Sequence, residues 1–232
     1  GPSAAGKTFL TKANLSNVLR DNHLLQDPKK KGHLPQGFVS IDGGLVRDVS
    51  KMWQYMSSVP HEDKDIKGFS DLFSTYFKKH VGDFKSRLFM SLLSKGMNMV
   101  IPDTASDHFP PVHPGKAMHF LRLLKEHNYS VLMTAVQASK AKCEDNGGKR
   151  QIKEGKKYSS RAWAYSMDNI AVLFNKARDL GYEDKHFYVW DNTDWSKRPT
   201  PCVSVKPGMR LKSYIQTLAT GHKIGVYTTH GK

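Results

Sequence analysis

Cysteine is scarce in this chain, and acidic residues are outnumbered. The 232 residues hold only Cys143 and Cys202, without paired spacing, which suits a reducing compartment or two buried thiols. No apolar run approaches the ~20 residues needed to span a bilayer, so no membrane partner is expected. No secretory leader is visible, and the chain starts inside a motif, so it reads as a fragment. Eleven histidines are present, none arranged as H-x-x-x-H or beside cysteine pairs. His108 and His113 fall in a proline-rich stretch that reads as exposed loop, not as metal ligands.

Lys and Arg number 36 against 21 Asp and Glu, a formal charge of +15, which favours anionic partners: nucleotides, nucleic acid or an acidic protein. A merely soluble basic surface would look the same. At 38% hydrophobic and 25% charged residues, the composition is that of a soluble globular protein with one substantial core.

Gly1-Pro2-Ser3-Ala4-Ala5-Gly6-Lys7-Thr8 fits the phosphate-binding loop G-x-x-x-x-G-K-[ST] at every fixed position. The pattern has a mechanism. Glycines let backbone N–H groups curl around the phosphates, Lys7 supplies a point charge to the β- and γ-phosphates, and Thr8 offers a hydroxyl to Mg²⁺. Nucleotide contacts are therefore assigned to Gly1, Ser3, Ala4, Ala5, Gly6, Lys7 and Thr8, with ATP and Mg²⁺ as cofactors. The strand that leads into such a loop is expected before residue 1. Phe9 to Leu19 has the helical spacing that should follow it. A glycine-rich turn with an incidental lysine is the bland alternative.

Farther along, residues 36–42 read as a strand after the polar loop 27–33, and residues 45–56 as a helix. Phe69, Leu72, Phe73, Tyr76, Phe77, Phe84, Leu88, Leu92 and Leu93 recur at helical spacing between Gly68 and Gly96, with Ser70 as a candidate cap. Residues 97–104 form a strand pattern ending in Asp103-Thr104, residues 116–127 a helix and 129–136 a buried strand. A charged segment, 149–161, precedes a helix over 162–180, and 186–191 form a last strand. Strands alternating with helices predict an α/β fold with a mainly parallel sheet flanked by helices on both faces. From Arg198 onward the pattern weakens, and residues 198–232 are read as a C-terminal extension of unclear structure that the pattern does not place in the sheet.

Ligands of open α/β sheets bind beyond the carboxyl ends of the strands, where the phosphate loop, Asp42 to Arg47 and Asp103-Thr104 all fall. Together with the basic segment, this order resembles the zeta-toxin and polynucleotide-kinase group of P-loop kinases, over roughly residues 1–195. The resemblance implies a three-layer P-loop kinase domain over 1–197 whose first strand precedes the given chain. The group's acidic motif after the second strand supplies the base that accepts the proton of the attacked hydroxyl. Direct alignment puts that acid at Gly44, a departure, so the base is assigned to Asp42, two residues earlier, with Asp48 in reserve. Asp42 equally suits a turn or helix cap. Arg47 matches the substrate-side basic position. Asp103 and Thr104 match a strand end that touches substrate, and Asp103 also looks like a Walker-B acid for the metal. Arg150 and Arg161 match the two arginines of a mobile lid, about 149–161, that approach the transferring phosphoryl group; a solvated basic loop is the alternative.

The resemblance implies transfer of the γ-phosphate of ATP to a hydroxyl of a nucleotide-like small molecule, such as a nucleotide sugar or NAD. It also implies the role of a toxin or effector, an antitoxin or chaperone partner, and a cytoplasmic location in the producing cell or in a host cell. A polynucleotide 5′-hydroxyl kinase is the alternative suited to the +15 charge, although no aromatic-and-basic stacking platform stands out. A nucleotide-dependent binding module is the third. Asn175-Lys176-Ala177-Arg178-Asp179 resembles a guanine-reading N-K-x-D motif only superficially: its aspartate is one position late, and the segment reads as helix.

Overall fold

The computed structural model describes residues 3–7, 37–58, 66–104, 115–154, 158–183, 187–192 and 200–204. Gly1, Thr8, the helix expected at 9–19, the polar loop 27–33, His108 and His113 lie outside them. The architecture is mixed helix and strand, built on small parallel sheets. In the first sheet β1 (Phe38–Ser40) pairs in parallel with β2 (Asn98–Val100). In the second, β3 (Met133–Gln137) pairs in parallel with β4 (Phe187–Asp191), and β4 pairs antiparallel with β5 (Thr200–Ser204). Residues 200–204 thus belong to a sheet, which the weak pattern after Arg198 did not indicate.

Between β1 and β2 run α1 (Gly43–Asp48), α2 (Lys51–Ser58), α3 (Ile66–Leu72), a π-helical turn (Phe73–Phe77) and α4 (Lys78–Ser94). The single helix expected over 45–56 is broken at Val49 and Ser50, because Ser50 Oγ accepts from Trp53 N at 3.4 Å and starts a new helix. Ser70 lies inside α3, one turn past its start, and not at its cap. The π turn inserts an extra residue and rotates the apolar face. Hence Phe69 packs inside before it, Phe89, Leu92 and Leu93 after it, and Tyr76 and Phe84 of the expected stripe are exposed. Gly96, at φ 63, ends α4 and donates to Leu93 O. Among the described residues three more helices follow β2: α5 (Gly115–Glu126), α6 (Lys140–Glu154) and α7 (Arg161–Asp179).

Helix α5 joins the two sheets through opposite sides. Phe120 and Leu124 pack with Ile41, Phe89, Leu92 and Leu93, whereas Met118 and Leu121 pack with Met133, Ala135 and Phe187 and with Ile170 and Phe174 of α7. The other face of β3 and β4 carries Val136 and Trp190, which meet Ala5 of the N-terminal loop and Cys143 of α6. Period-two alternation along β3 and β4 therefore feeds two separate cores. Among the described residues no helix is long and apolar enough to cross a membrane.

A cavity of about 670 Å³ separates the sheets. One wall is the consecutive run 98–103, the other the consecutive run 129–136, and Lys7 also lines it. Side chains of a strand alternate between faces, so consecutive residues on a wall mean that the strand's edge faces the space. β2 and β3 thus both border it.

Candidate active site

Local structure brings three chain segments to Lys7. Ala4 and Gly6 take left-handed backbone angles, φ 62 and φ 88, which curl the loop tightly enough to return on itself. Asp42 ends the extended run after β1 and caps α1, its Oδ1 accepting from Gly44 N at 2.7 Å. Asp103 lies three residues past β2. The third segment is α6, which carries Cys143 and Arg150.

Electrostatics tie these together. Burial is the largest influence on the Lys7 ammonium and pushes it down to about 8. The carboxylates of Asp103 and Asp42 and the Cys143 sulfur pull it back up, and Arg150 adds to the depression. Such mutual influence requires proximity. Asp42, Asp103 and Arg150 therefore lie near Lys7. Asp48, an exposed residue at the end of α1, and Arg161, the exposed first residue of α7, are not among the charges acting on Lys7. Thr104 is partly buried, and its carbonyl accepts from Ser166 Oγ of α7.

Arg47 is placed unexpectedly. It is 7% exposed, with its guanidinium 5.1 Å from the Trp53 ring centre and 5.5 Å from that of Phe73. Trp53 also meets Phe69, Phe73 and Phe77 edge to face. A Cβ added at Gly43 or Gly44 would lie within 3.9 Å of the Arg47 guanidinium. Arg47 therefore backs the turn that holds Asp42, at the edge of an aromatic box.

The charged segment expected as a lid is helical over 149–154, the last turns of α6, and residues 155–157 lie outside the described residues. The chain returns at Tyr158, whose N–H donates to Gln151 Oε1 at 2.9 Å. Its phenol is pushed up to about 12, chiefly by burial, among the residues that pack on Ala5 and Cys143. Cys143 is itself fully buried, and burial pushes its thiol up to about 11. It is a packing thiol and not a nucleophile.

Sequence reasoning missed Asn192. It follows β4, is 3% exposed, and its Nδ2 donates to Ala5 O at 2.8 Å. The signal was available: a polar residue at the carboxyl end of a parallel strand, the criterion that selected Asp42 and Asp103.

The donor set fits a polyphosphate, since a half-buried lysine and a nearby arginine stand beside a loop whose backbone curls through positive φ. Two carboxylates at the same lysine fit a divalent cation, although among the described residues no group of three or more His, Cys, Asp or Glu forms a metal cluster. The chain matches no protein-family model and no curated protein in sequence.

Proposed function

We propose that this chain is an ATP- and Mg²⁺-dependent kinase that phosphorylates a hydroxyl of a nucleotide-like small molecule, with the fold and effector role of zeta-toxin-like P-loop kinases. The observation that carries the reading is the convergence of Asp103, Asp42 and Arg150 on Lys7. A cation at the β- and γ-phosphates, a carboxylate for the attacked hydroxyl and an arginine for developing charge are the parts that phosphoryl transfer needs. The cavity between β2 and β3 supports the fold assignment, because a strand leading into the phosphate loop would run between their edges and complete one parallel sheet.

In this mechanism the acceptor hydroxyl loses its proton to Asp42 while its oxygen forms a bond to the γ-phosphorus. The bond from that phosphorus to the bridging oxygen breaks, and ADP leaves. Lys7 and Arg150 hold the phosphate oxygens, and their charge counts most as negative charge redistributes. Mg²⁺, held by Asp103 with Thr8, would neutralise the phosphates. Asp42 can serve as both cap and base, because a carboxylate has two oxygens and Gly44 N uses one of them. Arg47 acts by holding the turn.

The test is incubation with labelled ATP and a panel of nucleotide sugars, nucleotides, NAD and oligonucleotides, followed by mass analysis. A gain of one phosphate on a small molecule, lost in Lys7→Ala, is the expected result. Transfer only to oligonucleotide 5′ ends would move the assignment to a polynucleotide kinase. No transfer to any acceptor, with ATP still bound, would leave a binding module.

A further inference from the structure

We infer that Asn192 is a positioning residue for the phosphate loop, a strut that sets the direction of its peptide groups. This rests on the nucleotide reading of that loop. The backbone N–H of Asn192 donates to Gln137 O at 2.8 Å, which continues the β3–β4 ladder one step beyond Asp191 and aims the side chain. The side-chain amide then reaches Ala5 O, across 187 positions of sequence, in a buried hydrogen bond of 2.8 Å.

Ala5 is fully buried between Ala4 at φ 62 and Gly6 at φ 88. Left-handed backbone is unfavourable for alanine, so local preference does not hold this shape and a partner must. The bond from Asn192 is that partner. Because the peptide unit is planar and trans, the Ala5 carbonyl and the Gly6 N–H point in opposite directions. Fixing the carbonyl on Asn192 therefore turns the Gly6 N–H away from the end of β4, immediately before the lysine that meets Asp103. A loop that binds phosphate through backbone N–H groups depends on that orientation being set before the ligand arrives. Only a donor can do this, so a carboxylate of the same shape cannot replace the amide.

The experiment compares wild type with Asn192→Asp and Asn192→Ala, using the milder Asn192→Ser if alanine does not fold. It measures the Kd for Mg-ATP by calorimetry at a temperature where circular dichroism shows each variant folded. The expected result is binding weakened tenfold or more in the variants. A purely structural residue would lower the melting temperature and leave the Kd of the folded protein alone. Wild type that binds with variants weakened less than tenfold would overturn the strut and leave the nucleotide reading standing. Wild type that fails to bind Mg-ATP would overturn the nucleotide reading and the strut with it.

Discussion

Tyr158 lays its ring against the bare backbone of Gly147, so closely that a Cβ there would collide with ring atoms Cγ and Cδ2. The atoms met are the root and side of the ring, not a flexible tip. The contact clamps the chain after α6 back onto that helix, three residues before Arg150. Gly148, one residue on, has nothing within 4 Å of its added Cβ. Gly147→Ala is therefore expected to destabilise by about 1–3 kcal/mol through overpacking. Gly148→Ala should stabilise by up to about 1 kcal/mol through helix propensity. Urea unfolding of the two variants checks the contrast, and equal effects would dismiss the clamp.

Lys7 should make both stability and binding depend on pH. Its folded value lies near 8 against an unfolded 10.5, so between those values the unfolded chain holds more protons. Stability from this group therefore rises with pH across that window, and its penalty is complete below about 8. Lys7→Met should remove the rise. Phosphate beside Lys7 favours the ammonium, so nucleotide binding near pH 8–9 should take up a proton and weaken as pH climbs. Calorimetry in buffers of different ionisation enthalpy would detect the uptake, and its absence would place Lys7 away from the phosphates.

How much of this was legible before folding can be read from particular residues. Lys7 came from a local motif, Asp42 and Asp103 from positions at or just past strand ends, and Arg150 from the lid resemblance; α6 carries Arg150 close enough to act on Lys7. Arg161 was assigned by the same lid resemblance as Arg150, and the helix it starts leaves it exposed. The π turn at Phe73–Phe77 was invisible because periodicity counts assume a constant 100° step, so Phe89 was missed and Phe84 wrongly included in the core stripe. Asn192 and Tyr158 act through contacts with Ala5 and Gly147, long-range in the first case and after a chain reversal in the second. No single-segment pattern contains either.

Asp42→Asn keeps an oxygen for Gly44 N, so the cap of α1 should survive. The base should not. Turnover is expected to fall by about 10²–10⁴-fold with little change in ATP affinity. Asp48→Asn, on an exposed residue whose backbone carbonyl accepts from Gln54 Nε2 at 2.6 Å, should leave turnover near wild type. Steady-state kinetics on both variants decide it, and the reverse ranking would transfer the role to Asp48.

Arg150 and Arg161 should separate. Arg150 belongs to α6 and its charge reaches Lys7, whereas Arg161 is exposed at the start of α7. Arginines that meet a transferring phosphoryl group contribute about 10³–10⁵ in kcat. Arg150→Ala should show a loss of that order with ATP affinity changed only slightly, and Arg161→Ala a smaller one. Single-turnover rates measure the difference. Equal, near-wild-type rates would remove α6 from the chemistry.

The cavity between β2 and β3 makes the last prediction. Its lining includes β2 and the residues after it, 98–103, and most of β3 with the residues before it, 129–136, and an unpaired strand edge carries N–H and C=O groups that bond best to another strand. β1 runs parallel to β2 and β3 to β4, so an inserted strand parallel to β2 and β3 would complete a continuous sheet. Lys7 lines the same space, so the described part of the N-terminal loop borders it. Joining a seven-residue valine- and isoleucine-rich segment ahead of Gly1 should therefore raise the melting temperature and tighten Mg-ATP binding. The same segment with a central proline, which lacks the N–H and disfavours sheet interiors, should do neither. Equal effects from the two extensions would mean that the cavity does not take a strand, and the proposed three-layer fold would lose its central support.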